Sequence, residues 1–138
     1  MSLLHEELCY KIVGCFYNVR NRYGMHHKEK PFHRFLGEEF DLKRLRYVYE
    51  PRIQIYSLLT GKVVAVYIPD YLVENLIIIE IKALPFTSKN HTMQLCEYLK
   101  TSQYEVGYLV NFGEPNFKPR RFISTNDRKP FLTQKINP

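Results

Sequence analysis

The sequence has no tryptophan, and no apolar run approaches the roughly 20 residues that a membrane-spanning helix needs. Cysteine is scarce, with only Cys9, Cys15 and Cys96. An odd number with no close pair argues against a disulfide framework and fits a reducing compartment. No four-ligand spacing for zinc is visible either. Repeats, linkers and low-complexity tracts are missing. Met1 to Glu7 carries no secretory pattern, so the expected location is cytoplasmic, with no membrane partner. Acidic residues are also in short supply, 14 against 20 Lys and Arg, for a formal charge of +6. That balance favours a polyanionic partner such as nucleic acid, because each neutralised phosphate releases counterions. A basic surface with no such partner is the plainer reading of the same numbers.

What is present suits one ordinary domain of 138 residues. Leu4, Leu8, Ile12, Cys15, Phe16 and Val19 recur at helical spacing and predict a first helix from about Leu3 to Arg22. Cys9 and Cys15 fall in this apolar pattern and read as small core residues. Gly24 suits a left-handed cap at the helix end. Pro31 is tolerated in a first turn, and Phe32, Phe35, Leu36 and Phe40 predict a second helix reaching about Arg46. From Tyr47 the pattern becomes β-favouring. Thr60-Gly61-Lys62 reads as a turn, and the strand after it is expected to continue from Asp70 to Val73. Glu74-Asn75-Leu76 reads as the next turn, and Ile77 to Leu84 as a buried strand. Ser88 caps a third helix running to about Thr101. Glu105 to Phe112 and Phe117 to Thr125 are the last strands, and the polar tail from Asn126 is expected to be poorly ordered. The result is an α/β domain of order ααβββαββ spanning 1–138.

One feature is out of place in this pattern. The apolar strand Ile77 to Leu84 holds two charges, Glu80 and Lys82, whose i, i+2 spacing puts both on one face. Charges on a core strand are costly unless paired or liganded. If Glu74-Asn75-Leu76 is a three-residue turn, Val73 pairs with Ile77, and Asp70 stands opposite Glu80. A two-residue turn would turn Glu80 to the other face unless a bulge restored the register. Two carboxylates so close repel unless a cation intervenes, either Lys82 or a divalent metal. Mg²⁺ takes oxygen ligands of this kind, and the metal can activate water against a phosphate. The competing reading is an internal Asp–Lys–Glu salt-bridge cluster with no ligand.

Pro69-Asp70 followed by Glu80-Ile81-Lys82 resembles the P-D…(D/E)-x-K signature of the restriction-endonuclease-like nuclease superfamily. More narrowly, the chain from about Leu4 to Ile123 resembles the small G-x-x-E-x-x-Y family. The matching stretches are Ile12 to Cys15 through Gly24, Ile68 to Asn75, Ile78 to Leu84, Gln94 to Lys100 and Gly107 to Gly113. The resemblance implies a restriction-endonuclease-like core, a central mixed β-sheet flanked by helices. It also implies a Mg²⁺ site, with Mn²⁺ able to substitute, held by Asp70, Glu80 and the backbone carbonyl of Ile81. Gln94 matches a family glutamine that would face the site, although an exposed helix polar residue is its plain reading. The name motif falls at His26, Glu29 and Phe32. Only the glutamate is kept, and Glu29 would add to the metal site. Asn18 and His33 stand where the family has glutamates.

The function so implied is metal-dependent hydrolysis of phosphodiester bonds, with DNA as the expected nucleic acid. Asp70 and Glu80 bind metal, Lys82 assists the water or transition state, and Gln94 orients. Lys28 and Lys30, beside Glu29, and Lys89 and His91, before Gln94, are the candidate phosphate contacts. A homodimer is a further expectation, since many such nucleases pair to cut two strands. The alternative function is a nucleic-acid-binding or protein-interaction module that keeps the fold without turnover, motivated by the replaced glutamates.

Overall fold

The computed structural model describes residues 4–133. Helices α1 (Glu6–Tyr23) and α2 (Glu29–Leu42) come first. Five strands follow: β1 (Tyr47–Tyr49), β2 (Ile53–Tyr56), β3 (Val63–Tyr67), β4 (Tyr71–Val73) and β5 (Ile77–Lys82). Helix α3 (Lys89–Lys100) then leads to β6 (Val106–Asn111), β7 (Arg120–Ile123) and a 3₁₀ turn at Asn126–Arg128.

The main sheet has the order β1-β4-β5-β6-β7, and β2 and β3 form a separate hairpin. Only β5 and β6 run parallel, because α3 carries the chain back between them. One face of the sheet packs on α1 and α2 through Val73, Ile77, Ile79, Ile81, Val106 and Val110. The other packs on α3 and the hairpin through Leu72, Ile78 and Leu109 with Leu95, Leu99, Ile53 and Ile55. Covering both faces is why β5 reads as an almost unbroken apolar run. Cys9 and Cys15 are buried in the α1 face as expected.

Three details correct the sequence reading. The segment Asp70 to Val73 does not continue β3. The chain bends at Ile68 to Asp70, so β3 and β4 lie in different sheets, and Pro69, which has no N–H to donate, suits that break. Helix α2 ends at Leu42 rather than near Arg46, and Arg44 takes a positive φ of 59°. The tail from Asn126 is docked through Thr133. Lys129 is buried, with Nζ donating to the carbonyls of Ser102 at 2.8 Å and Tyr104 at 2.7 Å. Phe131 stacks on Tyr56 with ring centroids 4.8 Å apart. Residues 134–138 lie outside the described residues.

Candidate metal centre at the end of the sheet

The turn after β4 decides which charges meet. Glu74 and Asn75 both take left-handed backbone conformations, at φ 51° and 55°, and the Leu76 N–H closes on the Val73 carbonyl at 3.0 Å. Glu74 tolerates this because it is held on three sides by Arg46. Its carboxylate accepts the Arg46 backbone N–H at 2.6 Å and the guanidinium at 3.3 Å, and its own N–H donates to the Arg46 carbonyl at 2.8 Å. The loop therefore has three residues, and Val73 pairs with Ile77, Leu72 with Ile78 and Tyr71 with Ile79. This is the register that the sequence argument required. One step further along stand Asp70, in the bend before β4, and Glu80.

The Asp70 carboxylate does more than face its neighbour. Its Oδ2 accepts the Ile81 backbone N–H at 2.6 Å, which fixes the bend against the strand between Glu80 and Lys82. Burial raises the Asp70 pKa above the ordinary carboxylate value. The Ile81 N–H and the charges of His33 and Lys82 pull it back. Glu80 lies on the α3 face and is pushed up to about 7, by burial first and by the Asp70 charge second. Lys82 lowers both carboxylates, yet it makes no ion pair within 4.0 Å among the described residues. The Asp70–Lys82–Glu80 group is therefore not a closed salt-bridge cluster.

The strand end is braced from β6. Phe112 N–H donates to the Lys82 carbonyl at 2.8 Å, and the buried Asn111 side chain accepts from Leu84 N at 2.9 Å and Gly113 N at 3.0 Å. Gly113 has to be small, since a methyl group there would come within 2.6 Å of the Leu84 carbonyl oxygen.

Helix α2 brings its first turn to the same end. Glu29 is half exposed and lies 3.2 Å from His33 Nε2 through Oε2, while that nitrogen is 3.8 Å from Asp70 Oδ2. The other ring nitrogen, Nδ1, is 2.8 Å from the Tyr49 hydroxyl. A carboxylate only accepts, so Nε2 carries the proton toward Glu29, and in the neutral ring Nδ1 accepts from Tyr49. His33 thus bridges Glu29 and Asp70 with both nitrogens engaged. Asn18, at the other altered position, donates to the buried Glu39 at 2.7 Å, on the α1–α2 contact.

Helix α3 starts just past β5. Ser88 caps it by accepting from Asn90 N at 3.1 Å, as the sequence predicts. Lys89 and Gln94 are exposed, and His91 is half-buried with Nδ1 unpartnered. Gln94 is one turn before Tyr98, whose ring stacks on Tyr67 at 3.8 Å. Lys28, at the start of α2, and Lys30 are both exposed. Of the other basic residues, Arg120 is taken up by Glu114 at 3.1 and 3.2 Å and Arg121 by the Leu4 carbonyl at 3.0 Å.

Tyr67 is the residue that sequence reasoning missed. Its hydroxyl is buried with no hydrogen-bond partner of good geometry. Burial first, and then the Glu80 charge, hold its pKa far above the ordinary phenol value. It sits at the end of β3, and only the folding of the hairpin over the main sheet brings it to Glu80. Tyr49, on β1, was missed too, because only the packing of α2 on the main sheet brings His33 to it.

A model of the PD-(D/E)XK nuclease superfamily matches residues 6–122. The chain belongs to that superfamily. The superfamily is generally one of phosphodiester-hydrolysing nucleases that use divalent metals, and the α/β architecture described above is the restriction-endonuclease-like fold expected of it. The Pro69-Asp70 and Glu80-Ile81-Lys82 stretches lie within the match. No curated protein and no solved structure matches the chain.

Whether the residues suit a metal can be judged from the donors. No cluster of three His, Cys, Asp or Glu side chains with ligating geometry is found among the described residues. Two half-buried carboxylates with raised pKa values, and the buried Tyr67 hydroxyl beside one of them, make an all-oxygen donor set that suits a hard cation keeping several waters.

Proposed function

We propose that this member of the superfamily is an active Mg²⁺-dependent nuclease that hydrolyses phosphodiester bonds, with DNA as substrate. The observation that carries the reading is the meeting of Asp70 and Glu80 at the sheet end, both with raised pKa values and with no ion pair to Lys82 closing them among the described residues. Asp70 and Glu80, with the Ile81 carbonyl, would hold the cation, and Mn²⁺ would substitute. Glu29, held near Asp70 by His33, would add a further carboxylate. What a divalent cation supplies when bound is a lowered pKa for a water and positive charge beside the phosphate.

The chain's own groups do the rest. Glu80 gives up the proton it partly carries near neutrality, leaving both carboxylates charged. Lys82 is free to hold the attacking water or to steady charge growing on the phosphate. The Asp70–Ile81 hydrogen bond keeps these groups in register. Lys28, Lys30, Lys89 and His91, from the first turns of α2 and α3, supply contacts to the flanking phosphates, and Gln94 orients from α3. The retained Asp-Glu-Lys set speaks against a fold kept only for binding.

The test is cleavage of plasmid and oligonucleotide DNA in Mg²⁺, in Mn²⁺ and in EDTA. Cleavage that requires the cation and disappears in Asp70→Ala and Lys82→Ala is the expected result. Cleavage that survives both substitutions would overturn the assignment.

A further inference from the structure

Beyond His33, on the side away from Glu80, an open cleft of about 570 Å³ runs along α2. Tyr47, Tyr49 and Tyr71 form its sheet side, and α2 from Lys30 to Asp41 forms the other. We propose that this cleft takes one unpaired nucleotide of the strand to be cut, with its base against Tyr49 and its phosphate toward Lys30 and Arg34. The substrate class is then single-stranded or locally opened nucleic acid. This rests on the nuclease reading above and narrows it.

The size is within the range of small-ligand pockets. Tyr71 is buried and its hydroxyl already donates to the His33 carbonyl at 2.6 Å, so it serves as wall. Tyr49 is 43% exposed and is fixed in place. Its hydroxyl pairs with His33, and its ring lies 5.7 Å from the His33 ring and 5.0 Å from that of Tyr71. A rigid aromatic ring with a free surface is what an unpaired base stacks on. A paired base inside a duplex has no such access.

The charges are ordered along the helix. Glu29 faces the acidic centre. Lys30 and Arg34, four residues apart on one side of α2, follow it and make no ion pair among the described residues. Gly37 forms the floor, where a methyl group would lie 2.6 Å from the Tyr71 hydroxyl. Glu38 and Asp41 close the far end, with Asp41 already accepting from the Tyr47 hydroxyl at 2.8 Å. Carboxylates repel a phosphate and accept from base N–H groups. The phosphate is therefore kept to the Lys30 and Arg34 side, away from Glu38 and Asp41, with the base over Tyr49 beside His33. His33 joins the cleft to the metal centre, since one ring nitrogen meets Tyr49 and the other meets Glu29.

The experiment measures binding apart from cleavage. Fluorescein-labelled oligothymidine and a duplex of equal length are titrated in EDTA by fluorescence anisotropy. The single strand should bind at least about 10-fold more tightly. Tyr49→Leu should weaken it by about 5- to 150-fold and leave the duplex unchanged, while Tyr49→Phe keeps most of the affinity. In the unaltered protein, a strand carrying 5-iodouracil should photo-crosslink to Tyr49, which tests the contact without any variant. Equal affinity for duplex and single strand, or crosslinks that avoid the cleft, would overturn the proposal. Displacement by micromolar thymidine monophosphate would overturn it too, marking a free-nucleotide site. Binding and crosslinking as expected, without cleavage in Mg²⁺, would sink the hydrolase reading and leave this one standing.

Discussion

The Asp70 carboxylate accepts the Ile81 backbone N–H at 2.6 Å, so the two halves of the P-D…E-x-K pattern are tied by a hydrogen bond. The bond spans 11 positions in the sequence and crosses from the bend before β4 to the end of β5. A charge-assisted bond of this kind is about twice as strong as a neutral one. It uses one oxygen of Asp70 and leaves the other for a cation.

Asp70→Asn keeps much of the shape of this contact and removes the charge. It should lower the cleavage rate by about 100-fold or more, as should Lys82→Ala, with the fold intact by circular dichroism. Steady-state rates on a labelled oligonucleotide in Mg²⁺ check this.

Glu80 makes the metal-free fold sensitive to pH. Its pKa rises from 4.5 in the unfolded chain to about 7 in the folded one. Between those values the native state holds a proton that the unfolded state has lost, so stability falls as pH rises through that window. The loss is on the order of 3 kcal/mol and is complete above about pH 7. Urea unfolding in EDTA from pH 4.5 to 8 should show the decline, and Glu80→Gln should flatten it. Added Mg²⁺ should restore stability most at the alkaline end.

Cation binding should also release protons. With Glu80 near half-protonation at pH 7, about half a proton leaves per ion bound. Calorimetric titration of Mg²⁺ in two buffers of different ionisation enthalpy measures it, and Glu80→Gln should abolish the release. Glu29→Gln should leave the release in place and weaken affinity by about 10-fold.

Lys129 holds the C-terminal segment by donating to the carbonyls of Ser102 and Tyr104. Lys129→Met would leave both acceptors without that partner, at a cost of about 2 kcal/mol. Equilibrium denaturation gives the number. Limited proteolysis should cut near Asn126 sooner in the variant.

Sequence alone determined the main elements and the central charges. The helical spacing of Ile12, Cys15, Phe16 and Val19, and the apolar run of β5, report burial directly. Glu80 and Lys82 stand out because charges inside such a run are costly. Register was legible as a condition, since strand alternation leaves only an odd loop or a bulge to bring Asp70 and Glu80 together, and the left-handed pair Glu74–Asn75 provides the odd loop. The tertiary structure decided what no local pattern carries. It separated β3 from β4, docked the tail through Lys129, brought the Tyr67 hydroxyl to Glu80, and set His33 between Glu29 and Asp70. Each of these is a contact between segments far apart in the chain. Its energy depends on burial and shape at the meeting place, which spacing along the sequence does not encode.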